Sequence, residues 1–322
     1  MKTHRTLTTI LAIGAVGALI AGCGGGREEQ TTVNGGEAAA SDLSGAIVID
    51  GSSTVAPLAT LVAERFEDAN PGVSVTVGTS GTGGGFEKFC AGETDISNAS
   101  RAIKDEEVVL CGDGGVKYSE LLVAGDGIAI VANPENDWAT CLTVDQLALM
   151  WGPDSTATSW KDIDPSFPDE ALKLYGPGTD SGTFDFFTDA INGEEGASRT
   201  DYSPSEDDNV TIQGVNGEKG GLGYFGLSYY EENKDKLKLI EVDNGSGCVA
   251  PSPETVQAGE YAPLSRPLFM YVSATAAERP EVLAFAQYFL DNQEAINREA
   301  LFVPLSEEQL TTLQGEVDSL KG

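Results

Sequence analysis

Residues 46–66 read AIVIDGSSTVAPLATLVAERF, and the way this stretch changes character twice decides the fold. Ala46-Ile47-Val48-Ile49 is a short β-branched apolar run, the pattern of a buried strand. Asp50-Gly51-Ser52-Ser53-Thr54-Val55 is a turn of small residues, after which Leu58, Leu61, Val62 and Phe66 recur at helical spacing. Asn70-Pro71-Gly72 stops that helix. The order then repeats. Val73 to Val77 alternates as a strand, Gly78-Thr79-Ser80-Gly81-Thr82-Gly83-Gly84-Gly85 follows, and a helix is expected from Phe86 to about Ala91. A third short strand ends at Asn98-Ala99-Ser100-Arg101, again ahead of a helix. Strand, small-residue turn and helix in succession predict an α/β fold with parallel strands. In such sheets ligands bind beyond the carboxyl ends of the strands, where these turns lie.

A further turn of this kind occupies residues 176–187, GPGTDSGTFDFF. Glycine lets backbone N–H groups converge without a Cβ in the way, and a hydroxyl residue at a helix start both caps it and offers a donor. One such turn is ordinary capping. Three at equivalent places, each with the positive end of a helix dipole behind it, point to anion binding. A tetrahedral oxyanion has acceptors in every direction and suits donors arriving from opposite walls. Arg101 is the cation beside these turns, placed either to pair with the oxyanion or to form a surface salt bridge. Asp180 lies inside the third turn. It either caps the helix or accepts a proton from the ligand, which phosphate carries near neutral pH and sulfate does not.

A chain of 322 residues exceeds one ordinary domain, and two lobes are expected. The apolar stretch from Glu120 to Asn133 and a second at Leu268 to Val272 read as crossings between them, assigning 45–127 with 270–322 to lobe I and 128–269 to lobe II. Helical periodicity through Val282, Phe285, Tyr288 and Phe289 marks the tail. Two crossings imply a hinge, and a hinge implies a cleft.

Residues 1–22 have Lys2 and Arg5, an apolar run from Leu7 to Ile20, and Ala21-Gly22 before Cys23. This is the pattern of a secretory signal ending in a lipid-modified cysteine, with 23–44 as a flexible tether behind the anchor. Cys90, Cys111, Cys141 and Cys248 remain, an even number that outside the cytoplasm suggests two disulfides. Three pairings are open. Cys90–Cys111 and Cys141–Cys248 are favoured because each stays inside one lobe. No C-x-x-C spacing supports a metal site, and no cofactor is expected.

The single histidine, His4, falls in the segment expected to be removed. Ser-His-Asp and Cys-His catalysis are thereby excluded, and neither G-x-S-x-G nor a Gly-Lys phosphate loop occurs. The formal net charge is −32, two units more negative without Lys2 and Arg5. Nucleic acid and anionic membrane surfaces are poor partners for such a chain. The acidity fits a salty habitat or plain solubility equally. An anion can still bind, because salt screens charge beyond about 8 Å whereas hydrogen-bond donors act at about 2.8 Å.

The stretches DGSSTVAP (50–57), VGTSGTGGGFEKFCAGETDISNASR (77–101) and YGPGTDSGTF (175–184) resemble those of the PstS family, the phosphate-binding component of the high-affinity phosphate ABC importer. The resemblance covers essentially everything after the tether. It implies a type II periplasmic-binding-protein fold, with a mixed sheet flanked by helices in each lobe, that closes over one phosphate and delivers it to membrane permease subunits. By match of motif, Ser53, Thr54, the Val55 amide, Ser80, Thr82, Ser181, Gly182 and Thr183 are the expected phosphate contacts, with Ser100, Arg101 and Asp180 beside them. Where the family's best-known branch has an arginine shortly before Ser-Gly-Thr, this chain has Gly176-Pro177-Gly178. Near the place of that branch's aspartate stand Asn98 and Ser100-Arg101, so cation and proton acceptor have exchanged lobes. The expected function is that of an extracytoplasmic, lipid-anchored, monomeric phosphate receptor, not an enzyme, on the outer face of the cytoplasmic membrane or in the periplasm. A receptor for sulfate or molybdate, or a secreted phosphate-ester hydrolase, would share the turns.

Overall fold

The computed structural model describes residues 43–321, all within one compact unit; the signal segment, Cys23 and nearly all of the tether lie outside the described residues. The chain opens with β1 (Ser44–Gly51), α1 (Ala56–Ala69), β2 (Gly72–Val77), α2 (Gly81–Cys90), β3 (Ile96–Ala99) and α3 (Asp105–Asp113). β1 lies between β2 and β3 with both pairings parallel, as the repeated strand–turn–helix order requires. α1 buries Leu58, Ala59, Val62, Ala63 and Phe66, one face of a helix that starts with Pro57 in its first turn and stops at the Asn-Pro-Gly breaker.

α2 differs from the sequence expectation. It begins at Gly81 rather than Phe86, so the glycine run is the helix's own first turns. Packing explains the composition. A Cβ on Gly85 would stand 2.5 Å from Gly51 Cα and 2.9 Å from Ser97 Oγ, so only glycine lets α2 approach β1 and β3 this closely.

β4 (Tyr118–Ala132) is 15 residues long. Next come β5 (Cys141–Thr143), α4 (Val144–Trp151), a 3₁₀ turn at Trp160–Asp162, β6 (Lys173–Gly176), α5 (Gly182–Asn192), β7 (Ser203–Pro204), α6 (Asp208–Gly217), β8 (Gly221–Gly226) and α7 (Leu227–Asn233). β9 (Lys238–Asp243), β10 (Cys248–Val249) and α8 (Pro253–Gln257) lead into β11 (Ser265–Ser273). The chain ends with α9 (Ala274–Ala277), α10 (Pro280–Glu299) and α11 (Glu307–Ser319).

The sheet runs β2-β1-β3-β11-β4-β8-β6-β7. β4 joins its two ends, pairing antiparallel with β11 up to Gly127 and with β8 from Ile128, while β9 lies along its other edge. β11 is the second crossing strand, and its register against β4 shifts between Leu268 and Phe269. Such a shift raises local twist and bends the ribbon between the lobes.

Hydrophobic burial follows the same division. One cluster gathers Ile128–Ala132, Trp151, Trp160, Phe187 and Tyr224 around β4, β6 and β8. Another holds Ile47, Phe66, Val123, Met270, Phe285 and Phe289, with Phe66 and Phe285 edge to face at 5.4 Å. A third, smaller cluster packs Phe86, Phe89 and Tyr271 under α2 and α3. Among the described residues no helix is long and apolar enough to cross a membrane.

The two disulfides are Cys90–Cys111, joining α2 to α3, and Cys141–Cys248, joining β5 to β10. These are the favoured pairings. The second closes a sequence separation of 107 residues. In the chain-entropy account a loop of that size contributes about 4–5 kcal/mol by restricting the unfolded chain. Replacing Cys141 and Cys248 together with alanine is therefore expected to lower the unfolding free energy by about 4 kcal/mol in denaturant titration; a loss under about 1 kcal/mol would show that loop closure is not the source.

Candidate anion-binding site

A cavity of about 530 Å³ opens where the ends of β1 and β3 face α5 across the crossing strands. Its first wall comes from the turns that the sequence marked: Ser53 and Thr54 before α1, Gly81 and Thr82 at the start of α2, and Ser100 and Arg101 after β3. These residues are brought together because parallel β1 and β3 end side by side, with Gly51 in register with Asn98 and Ser52 N–H bonded to Asn98 O at 2.9 Å. Neither α1 nor α2 has a side-chain N-cap bond or an acidic residue in its first turn. Both helices thus present uncompensated N-terminal dipoles at this wall. Thr82 Oγ1 and Ser100 Oγ lie 3.1 Å apart, and the Ser100 amide donates to Thr82 Oγ1 at 3.2 Å, which ties the second turn to the third.

The opposite wall is the flank of α5 and the loop after it, represented by Asp185, Phe186, Asp189 and Glu195. Ser181 caps α5 by accepting from Thr183 N at 3.2 Å. Ser181, Gly182 and Thr183 are half-buried and stand beside the cavity rather than in its lining, but their turn reaches the first wall. A Cβ on Gly182 would lie 3.1 Å from Thr54 Oγ1, so the turns before α1 and α5 abut. Val55 is fully buried as the N-cap residue of α1.

Two expected contacts are engaged elsewhere. Ser80 is exposed, and its hydroxyl and amide both donate to Asp50 Oδ1, at 2.8 and 2.9 Å. Asp180 is exposed and outside the cavity lining; Asp185, one helical turn after Ser181, faces the space together with Asp189 and Glu195. Burial pushes the Asp185 carboxyl up and Glu195 adds to that, with Arg266 opposing. Arg101 lines the cavity but is clasped by Glu107, Nη1 to Oε2 at 2.8 Å and Nη2 to Oε1 at 2.7 Å. Burial pushes the Glu107 carboxyl up, and its bonds from Arg101 and the Lys104 amide more than offset this, leaving it below the usual range. Asn98 is fully buried, and neither polar atom of its side chain has a hydrogen-bond partner among the described residues.

Sequence reading missed Arg266 as well as Asp185. Arg266 enters the cavity from β11, bonded through Nε to Asp126 Oδ2 and through Nη2 to Thr54 Oγ1, both at 3.0 Å. For Asp185 the signal was the spacing of four from Ser181, which puts both on one helical face. For Arg266 it was a cation at the head of an apolar strand, where a solvent-facing residue is the usual reading.

The comparisons with known proteins fit this geometry. Residues 35–293 match the family model described as the PBP superfamily domain. The chain is 47% identical over 290 residues to protein SphX of Synechocystis, covering 88% of this chain and 86% of that one. It is 40% identical over 312 residues to the phosphate-binding protein PstS of Staphylococcus saprophyticus, covering 96% and 93%. A crystal structure of a possible phosphate-binding protein from Planctomyces limnophilus superposes with a TM-score of 0.84 at 43% identity, over 87% of this chain and all of that one. Two strand-linked lobes with a polar cavity at their junction define the class, that of the periplasmic binding proteins. Within it, the chain belongs to the PstS family.

Asp50 anchors the Ser80 turn and pairs with Lys88 at 2.5 Å. Burial raises its carboxyl, but Lys88, Ser80 and the amides of Ser80 and Gly51 prevail and bring it from 3.8 to about 2. A depressed folded-state value stabilises the fold above the unfolded value, so this contribution is complete above about pH 4 and is lost as pH falls towards 2. Asp50→Asn is expected to lower the melting temperature at neutral pH and to flatten its fall between pH 4 and 2; parallel wild-type and variant profiles would contradict the assignment.

Proposed function

We propose that this chain is an extracytoplasmic receptor that captures inorganic phosphate between its lobes and hands it to the permease subunits of an ABC importer. One observation carries the reading: two uncapped helix N-termini, the Thr82–Ser100 hydroxyl pair and two guanidinium groups share a cavity with a single upward-shifted carboxylate, Asp185. Relatives named as phosphate-binding proteins support it. The protein binds without making or breaking bonds and works as a monomer, held to the outer face of the membrane through Cys23 and the tether. Lobe I is 45–127 with 270–322, and lobe II is 128–269.

The mechanism follows from charge and space. Backbone N–H groups at the starts of α1 and α2 and the hydroxyls of Ser53, Thr54, Thr82 and Ser100 donate to the ion from lobe I. Ser181, Gly182 and Thr183 approach from lobe II as it closes. A water takes up about 30 Å³, so a cavity of about 530 Å³ holds the ion with about fifteen waters. Closing the lobes expels them and strengthens every remaining contact. Asp185 then accepts a hydrogen bond from the protonated oxygen of phosphate. A fully ionised sulfate would set oxygen lone pairs against this carboxylate. Submicromolar binding requires more than about 8 kcal/mol net, within reach of charge-assisted bonds from both walls.

Calorimetric titration tests the reading. Phosphate should bind at micromolar concentration or tighter and sulfate at least about 100-fold more weakly, a difference of about 3 kcal/mol. Thr54→Val should weaken phosphate at least about tenfold, and Asp185→Asn should shrink the phosphate-to-sulfate ratio by a similar factor. Equal affinity for the two ions would favour a general oxyanion receptor, and turnover of a chromogenic phosphate ester would favour a hydrolase.

A further inference from the structure

Arg266 touches the neighbouring crossing strand and one residue on each side of the cavity. It lies on β11 in register with Asp126 of β4, where the crossing strands run side by side, and both side chains are largely buried, at 16% and 15% exposure. Its Nη2 donates to Thr54 Oγ1 in the turn before α1. Its guanidinium carbon sits 3.9 Å from the centroid of the Phe186 ring on α5. One side chain therefore connects the hinge, the lobe I donor turn and the flank of the lobe II helix.

Its hydrogen bonding leaves it free to do more. A guanidinium has five N–H donors, and here Nε is spent on Asp126 and one Nη2 donor on Thr54. Three remain at the cavity. Arg101 presents its fork to Glu107 and is the more fully satisfied of the two cations. Asp126 holds Arg266 through Nε alone, which fixes the plane of the guanidinium without occupying its outer edge.

We propose that Arg266 is the residue that couples anion occupancy to lobe closure. Its outer edge binds the oxyanion, and its face against Phe186 carries α5 towards lobe I. Without an anion the hydrogen bonds of the guanidinium go to Asp126 and Thr54. An occupied one adds an anion whose bonds hold the plane at the angle that stacks best on Phe186, so the ion favours the closed arrangement over the open one. The proposal rests on the oxyanion reading of the cleft but not on phosphate in particular.

The test measures affinity and compaction separately, by calorimetry with phosphate and by the radius of gyration in X-ray scattering with and without saturating phosphate. Arg266→Gln should bind phosphate at least about 100-fold more weakly, and Arg266→Lys, which keeps the charge but loses fork and stack, at least about tenfold more weakly. Phe186→Leu should bind phosphate more weakly and, at phosphate saturating for the variant, lose most of the compaction that the wild type shows. A purely structural Arg266 would lower the melting temperature of the ligand-free protein and leave phosphate affinity unchanged, which overturns the anion contact. Wild-type compaction in Phe186→Leu overturns the coupling. A wild type that takes sulfate or molybdate in place of phosphate defeats the phosphate reading alone, and the same variants titrated with that ion still decide the role of Arg266. A wild type that takes no oxyanion overturns both.

Discussion

The antiparallel pairing of β4 with β11 is the constraint on which the molecule is built. Fifteen residues of β4 run unbroken from one sheet region into the other, and β11 follows alongside with a register shift at Leu268 and Phe269. A single connecting strand would leave two lobes free to swivel. Two hydrogen-bonded strands restrict the motion to bending, and a bulge places the bend. Everything at the cavity inherits its position from this ribbon: β3 lies against β11, β1 against β3, and the turns after β1 and β3 end together as a consequence.

The second organising principle is that charge is managed locally. The chain carries a formal net charge of −32, yet one wall of the cleft offers N–H groups, hydroxyls and the Arg101 guanidinium, and Arg266 enters from the crossing strands. Each carboxylate near this wall is already committed: Asp50 to Lys88 and Ser80, Glu107 to Arg101, Asp126 to Arg266. Pairing them makes the wall polar without making it strongly positive, and close donors rather than long-range field then set its affinity. Acid sits on the other wall, at Asp185, Asp189 and Glu195, and burial pushes the Asp185 carboxyl up.

Much of this was legible beforehand. Periodicity found β1, α1 and β2, small-residue turns marked the wall of the cavity, and the cysteines fell into the expected pairs. Other features were hidden. The glycine run at 81–85 looked like a loop because glycine is a poor helix former, and only the approach of Gly85 to Gly51 shows why helix is compatible with it. Ser80 was expected at the cavity by match of motif, and its amide and hydroxyl turn instead to Asp50, thirty residues away.

By itself the sequence determined the alternation of elements, the breakers between them and the small-residue turns. These are local properties, written in spacing and residue type within a few helical turns. Only the tertiary structure decided which charged groups are free and which are spent, because that depends on contacts between residues far apart in the chain. Arg101 meets Glu107 through the packing of α3, Asp185 rather than Asp180 lines the cavity, and Arg266 reaches Thr54 across a separation of 212 residues.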